Sequence, residues 1–220
     1  MSVALSLRDV SVQFGSHLAL QGVNLHMHAG ERVALVGANG SGKSTLLRLM
    51  AGLYTPLAGN VRLDGVELQQ IEPAEVRSCM GYVGQDPQLF MGTLRENMVL
   101  AESWISDSKI LEVLKALGLY EMVAAHPRGL DMPITEAGGG LSGGQRQLLS
   151  IARMMLRDPQ LVFMDEPTAN MDGNTEAHVI AVLKEWLQGR TLLMSTHRPQ
   201  LLVWADVVEI GRASCRERVS

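Results

Sequence analysis

One stretch constrains this chain more than any other: Gly37-Ala38-Asn39-Gly40-Ser41-Gly42-Lys43-Ser44-Thr45, or GANGSGKST. It follows the continuous apolar run RVALVG, which suits a buried central strand. STLLRLMAGL comes next, with Gly52 near its end, and reads as a helix. Between such a strand and such a helix, the pattern G-x-x-x-x-G-K-[ST] is a cradle for phosphates. Its glycines let successive backbone N–H groups approach an anion, and the helix start adds the positive end of its dipole. In that cradle Lys43 reaches β- and γ-phosphate oxygens, and the Ser44 hydroxyl ligates Mg²⁺. A glycine-rich turn with an incidental lysine is the bland alternative, and the strand–loop–helix setting disfavours it.

The rest of the chain supplies the sheet that such a loop needs. ALSLRDVSVQF alternates Leu5, Leu7, then Val10, Val12, Phe14, and LALQGVNLHMH alternates Leu20, then Val23, Leu25, Met27. Both read as half-buried antiparallel strands. GNVRLDG is a short strand between glycines. From Thr93 to Asp158 helical spacing takes over, in Ile110, Leu111, Leu114 and Leu117 and again in Leu148, Ile151, Ala152 and Met155. Strand and helix then alternate through LVFMD, NTEAHVIAVLKEWLQ, TLLMST and DVVEI. The expected fold class is α/β: a P-loop NTPase core with a mostly parallel sheet, an N-terminal antiparallel β subdomain and a helical insert. The expected boundaries are 2–92 and 159–209 for the core with its β subdomain, and 93–158 for the helical subdomain.

Composition narrows the function classes. The net charge of −4 gives no general attraction to nucleic acid or anionic lipid, so no nucleic-acid partner is expected. The apolar runs are far shorter than the ~20 residues that span a bilayer. No secretory leader opens the chain, and Cys79 and Cys215 lack metal or redox spacing, so the chain reads as soluble and intracellular. The end, IGRASCRERVS, abandons the strand pattern for a basic tail. The codons ATC GGA AGA GCG TCG TGT AGG GAA AGA GTG T of a sequencing adapter would encode this run from Ile210. Residues 210–220 are therefore expected to be a translated artefact outside the fold, with the natural protein continuing past Glu209.

Two further motifs carry chemistry. LVFMDEP is an apolar strand ending in Asp165 and Glu166. An acid at a strand end beside a phosphate loop holds the metal, and its neighbour can polarise an attacking water as general base. LSGGQRQ, Leu141 to Gln147, places a serine and two glycines ahead of a helix, a second device able to hold an anion about a hundred residues from the first.

GANGSGKST, LSGGQ, LVFMDEP and STH, in this order, resemble the ATPase (nucleotide-binding) domain of ABC transporters over nearly all of residues 2–209. The resemblance implies ATP and Mg²⁺ as cofactors and assigns further roles. Phe14 matches the aromatic that stacks on adenine. Gly37, Asn39, Gly40, Ser41, Gly42, Lys43, Ser44 and Thr45 wrap the phosphates. Ser44, Gln85 and Asp165 attend the metal, with Gln85 also sensing the γ-phosphate. Glu166 is the general base, and His197 contacts the γ-phosphate and helps hold the water. Asp172, in ANMD, matches the acid of the loop crossing the dimer interface. Ser142, Gly143, Gly144 and Gln145 cap the γ-phosphate held by a second copy. Two domains lie head to tail with ATP between them, and this explains two phosphate devices in one chain.

The subtype resembles exporters. LFMGTLREN and ITEAGGGLSGGQ look like exporter domains, while AGLYTPLAGNVRLDGVELQQIEPAEVR, HPRGLDMPI and STHRPQLL are similar to type I secretion ATPases. That similarity implies a transmembrane permease domain as partner and a place on the cytoplasmic side of the bacterial inner membrane. An ATPase subunit of an importer is the alternative, and a non-transport ATPase of the family is a more distant one. Gly84, ANMD and AGGG depart from the residues most frequent at those places.

Overall fold

The computed structural model describes residues 4–100, 102, 104–210 and 215–218, with the side chains of 137, 207–210 and 215–218 left aside. Its strands are β1 (Leu5–Phe14), β2 (His17–Met27), β3 (Arg32–Val36), β4 (Ala58–Leu63), β5 (Val66–Glu67), β6 (Met80–Val83), β7 (Gly92–Thr93), β8 (Pro133–Ile134), β9 (Leu161–Asp165), β10 (Thr191–Ser195), β11 (Val207–Ile210) and β12 (Cys215–Arg218). Its helices are α1 (Lys43–Met50), α2 (Pro73–Cys79), α3 (Leu94–Val99), α4 (Asp107–Ala116), α5 (Tyr120–Ala124), α6 (Gly143–Arg157), α7 (Gly173–Trp186) and α8 (Pro199–Leu202). Contacts group them into two compact units. One holds Met1–Tyr82, Pro159–Glu166 and Leu187–Ser220, and the other holds Val83–Asp158 and Pro167–Trp186.

In the first unit, β2-β1-β4-β5 form an antiparallel sheet. The phase change from Leu5 and Leu7 to Val10 and Val12 has a local cause. The register slips between Leu7 and Val10, where Asp9 takes a left-handed φ of 48°. Such a bulge resets which face receives the side chains, so all four residues are buried. Asn24 holds the bulge from β2: its Oδ1 accepts from the Asp9 N–H, and its Nδ2 donates to Asp9 Oδ1. Across the bulge only glycine fits at position 59, because a Cβ there would come within 2.3 Å of the Arg8 carbonyl oxygen.

The second sheet runs β12-β11-β3-β10-β9-β6. The β11–β3, β3–β10 and β10–β9 pairings are all parallel, and β9 and β10 are buried at every position. Continuous apolar runs suit parallel strands covered on both faces. Leu46, Leu47, Leu49 and Met50 of α1 share one core with Leu7 and Val12 of the antiparallel sheet and with Phe163 and Leu193 of the parallel one. That packing fixes where β3 hands over to α1. Four residues of the tail add a strand at the edge of this sheet: β12 pairs antiparallel with β11 from Ile210↔Cys215 to Val207↔Arg218. An open sheet edge offers unpaired backbone groups that accept a segment of almost any sequence. The other tail residues, 211–214, 219 and 220, lie outside the described residues.

The second unit is helical apart from the β7–β8 pair. Helix α6 starts at Ser142, whose Oγ accepts from the Gln145 N–H at 3.1 Å while Gln145 Oε1 accepts from the Ser142 N–H at 2.9 Å. This reciprocal cap satisfies two donors that a helix start would otherwise leave unpaired. The α6 face then buries Leu148, Leu149, Ile151, Ala152 and Met155. Contacts bring more chain into this unit than 93–158. Asn97 of α3 accepts from the Phe90 N–H and donates to the Phe90 and Thr93 carbonyls. Arg153 of α6 donates to the Asn97 and Gln88 carbonyls. The loop leaving β6 is therefore tied to the helices. No helix among the described residues is long and apolar enough to cross a membrane.

Candidate functional site

The loop between β3 and α1 turns on two glycines. Gly40 and Gly42 both take left-handed φ, 78° and 92°, and α1 opens directly after them at Lys43, where a helix start leaves N–H groups without intrahelical partners. Gly42 is doubly required, since a Cβ would lie 2.8 Å from Leu20 Cδ2 and 3.0 Å from the Ala19 oxygen. The Lys43 ammonium donates to the carbonyls of Gly37 at 2.6 Å and Ala38 at 3.1 Å, which holds it over the loop. Ser41 Oγ is buried in this cradle with no partner among the described residues. Ser44 and Thr45 follow on the first turn, half-buried. Lys43→Ala is expected to weaken nucleotide binding by about 10- to 100-fold, the size of a lost charge-assisted hydrogen bond. Titration with a fluorescent ATP analogue measures it, and unchanged affinity would take the loop out of the mechanism.

Two acids stand at the end of β9. Asp165 is 2% exposed, and one carboxylate oxygen accepts from Ser195 Oγ at 2.5 Å. The other, Oδ2, is buried without a partner. Glu166 takes a left-handed φ of 49°, uncommon for a residue with a side chain. Its N–H donates to the Ser195 carbonyl at 3.1 Å. Its carboxyl keeps one buried oxygen, Oε1, without a hydrogen bond, 3.4 Å from His197 Nε2. Burial pushes the Glu166 carboxyl above the usual carboxylate range, while His197 foremost, and Lys43 more weakly, pull it down. Phe14, at the end of β1, is 45% exposed and meets Tyr54 edge-on, with ring centroids 5.3 Å apart. Arg48 of α1 steadies that ring by donating to the hydroxyls of Tyr54 and Tyr82.

The first unit thus brings together the phosphate loop, Asp165, Glu166 and His197. Gln85, the LSGGQ residues and Asp172 belong to the second unit. There, Gln85 is exposed on the loop after β6. Gly143 and Gly144 approach Asn170, and a Cβ on Gly144 would sit 3.0 Å from the Asn170 oxygen. The signature therefore adjoins the ANMD loop. Asp172 caps α7: its carboxylate accepts from the N–H groups of Asn174 and Thr175 and from the Thr175 hydroxyl, which holds it below the usual range. Sequence reasoning passed over Ser195, Tyr54 and Asn170. The available signal for Ser195 was a hydroxyl ending an otherwise apolar buried strand.

The residues fit a magnesium ion. No three His, Cys, Asp or Glu among the described residues form a metal site by themselves. Mg²⁺ characteristically takes one or two carboxylates together with substrate phosphates. Asp165 Oδ2, buried and unpartnered, would supply the carboxylate, and the Ser44 hydroxyl on the first turn of α1 a further oxygen.

Backbone amides and an ammonium for phosphates, facing acids at the end of a parallel strand, define the class of P-loop nucleoside triphosphatases. Residues 20–169 match the family model described as "ABC transporter". The chain is 40% identical to the uncharacterized ABC transporter ATP-binding protein YwjA of Bacillus subtilis, over 93% of this chain and 36% of that protein. It is 38% identical to the ATP-dependent lipid A-core flippase of Neisseria meningitidis, over 92% of this chain and 33% of that protein. A bacterial Atm1-family ABC exporter solved with ATP bound superposes at a TM-score of 0.92 with 27% identity, over 99% of this chain and 39% of that one. The chain belongs to the ABC transporter family and is an ATPase domain of it. It spans about a third of the length of the relatives named here.

Proposed function

We propose that this domain hydrolyses ATP with Mg²⁺ to drive export across a membrane, working as a head-to-tail pair of ATPase domains joined to a transmembrane permease domain. The observation that carries the hydrolytic part is Glu166, a carboxyl raised by burial, 3.4 Å from His197 and within electrostatic reach of Lys43. The loop amides and Lys43 bind the β- and γ-phosphates, and Ser44 and Asp165 would hold the metal, a task to which the family resemblance also assigns Gln85. Mg²⁺, when bound, neutralises phosphate charge. Glu166 accepts a proton from the attacking water, and His197 orients that water and the γ-phosphate. Phe14, already turned outward beside Tyr54, stacks on adenine. Ser142, Gly143, Gly144 and Gln145 close over the γ-phosphate held by the second copy, with Asp172 at the crossing loop.

Export is supported by the relatives, which include proteins named as a lipid flippase and as an Atm1-family exporter. Within that class we assign the chain to type I protein secretion, on the likeness of its AGLYTPLAGNVRLDG and STHRPQLL stretches. The domain then lies on the cytoplasmic face of the bacterial inner membrane. Sequencing the gene upstream of Met1 tests the export reading against the importer alternative. An open frame with about six apolar helices is expected; a stop codon beside a separate permease gene would instead favour an importer subunit. Phosphate release from ATP by the purified chain tests the chemistry.

A further inference from the structure

Ser195 ends β10, whose Leu192, Leu193 and Met194 have no exposed surface, and Ser195 itself is equally enclosed. A hydroxyl in such surroundings is costly unless it is paired. Its partner is the acid on the next strand. Ser195 and Asp165 lie directly opposite in the parallel pairing of β10 and β9, so their side chains share a face of the sheet. Ser195 Oγ donates to Asp165 Oδ1 at 2.5 Å, which leaves Oδ2 buried and unpartnered. The carbonyl of the same serine accepts from the Glu166 N–H and so anchors that residue where φ is 49°. One residue therefore aims the first acid and fixes the backbone of the second.

We propose that Ser195 is a positioning residue for the metal: its hydroxyl locks Asp165 through Oδ1, so that Oδ2 is the oxygen offered to the Mg²⁺ that accompanies ATP. This rests on the ATP-and-Mg²⁺ function proposed above. Without the hydroxyl, Asp165 has two unpartnered oxygens and no reason to prefer one carboxylate orientation. Partners that orient a metal ligand are worth about 10- to 100-fold in metal affinity. Ser195 acts through Asp165 and touches no reacting atom, so its effect belongs in metal dependence rather than in metal-free nucleotide binding.

The test measures affinity for a fluorescent, non-hydrolysable ATP analogue on the full 220-residue chain, once in EDTA and once in Mg²⁺. The ratio of the two Kd values reports the metal. Ser195→Thr and Ser195→Val have nearly the same shape and differ by the hydroxyl, while Ser195→Ala removes the hydroxyl without adding volume. Ser195→Thr is expected to keep the wild-type ratio. Ser195→Val and Ser195→Ala should lower it about 10-fold or more, with affinity in EDTA unchanged. The proposal is overturned if Val and Ala keep the ratio, if Thr loses it with them, or if affinity in EDTA falls by as much as affinity in Mg²⁺. A wild-type ratio of one would remove the ATP–Mg²⁺ function and this role together. A high wild-type ratio that the variants leave alone would remove only the role of Ser195.

Discussion

Glu166→Gln should bind ATP and hydrolyse it about 10²–10⁴-fold more slowly, the loss that follows removal of a general base. In barrier terms this is about 3–5 kcal/mol. Glutamine keeps the size and most of the hydrogen bonding of Glu166 but cannot take a proton. The backbone should stay as it is, because the N–H of residue 166 still donates to the Ser195 carbonyl and glutamine keeps an oxygen that can accept from the His197 backbone N–H. The pH profile carries a second expectation. The base works only when ionised, and burial raises the Glu166 carboxyl above its usual range. The acidic limb of wild-type kcat/KM, which reports the free enzyme, should therefore lie at higher pH than for an ordinary carboxylate, with activity rising as pH increases through it, and Glu166→Gln should flatten that limb. Steady-state phosphate release across pH, with nucleotide binding measured in parallel, checks both. A variant that hydrolyses at the wild-type rate would remove Glu166 from the chemistry.

The fold was legible wherever one period dominated. The unbroken apolar runs of β3, β9 and β10 announced strands covered on both faces, and the spacing of Leu148, Ile151, Ala152 and Met155 announced α6. The phase shift in β1 was visible as a change from odd to even positions, but its cause was not. It needed Asn24 on another strand and the space left by Gly59. The grouping of 83–92 with the helices was hidden for the same reason, because Asn97 and Arg153 reach it through hydrogen bonds that leave no periodic mark.

The strand–loop–helix setting of GANGSGKST was legible, since its pattern lies in consecutive residues between β3 and α1. The acids were legible as residue types at a strand end, but not as an unequal pair. That Asp165 has one engaged and one bare oxygen depends on which residue β10 sets opposite it. Phe14 shows the same limit from the other side. At strand spacing an aromatic is ordinarily core, and only the neighbouring Tyr54 shows how it can stand 45% exposed and still be held edge-on.

The proposed shared site makes the last expectation. ATP bound at one loop and capped by the signature of a second copy should join two chains. Glu166→Gln, which binds without cleaving, should therefore accumulate as an ATP-dependent dimer. A second change at Ser142 should abolish that dimer, but the choice of residue matters. Ser142→Arg adds bulk yet also removes the cap of α6, a loss of about 1 kcal/mol that is present with or without ATP. Ser142→Asp is the sharper variant, because aspartate still accepts from the Gln145 N–H while setting a negative charge against the incoming phosphate. The double variant should elute as a monomer with ATP, bind nucleotide as tightly as Glu166→Gln through its own Lys43, and melt at a similar temperature. Size-exclusion chromatography with and without ATP reads the difference. A dimer of Glu166→Gln that survives Ser142→Asp unchanged would mean that the signature does not close on a neighbour's phosphate, whatever else joins the chains.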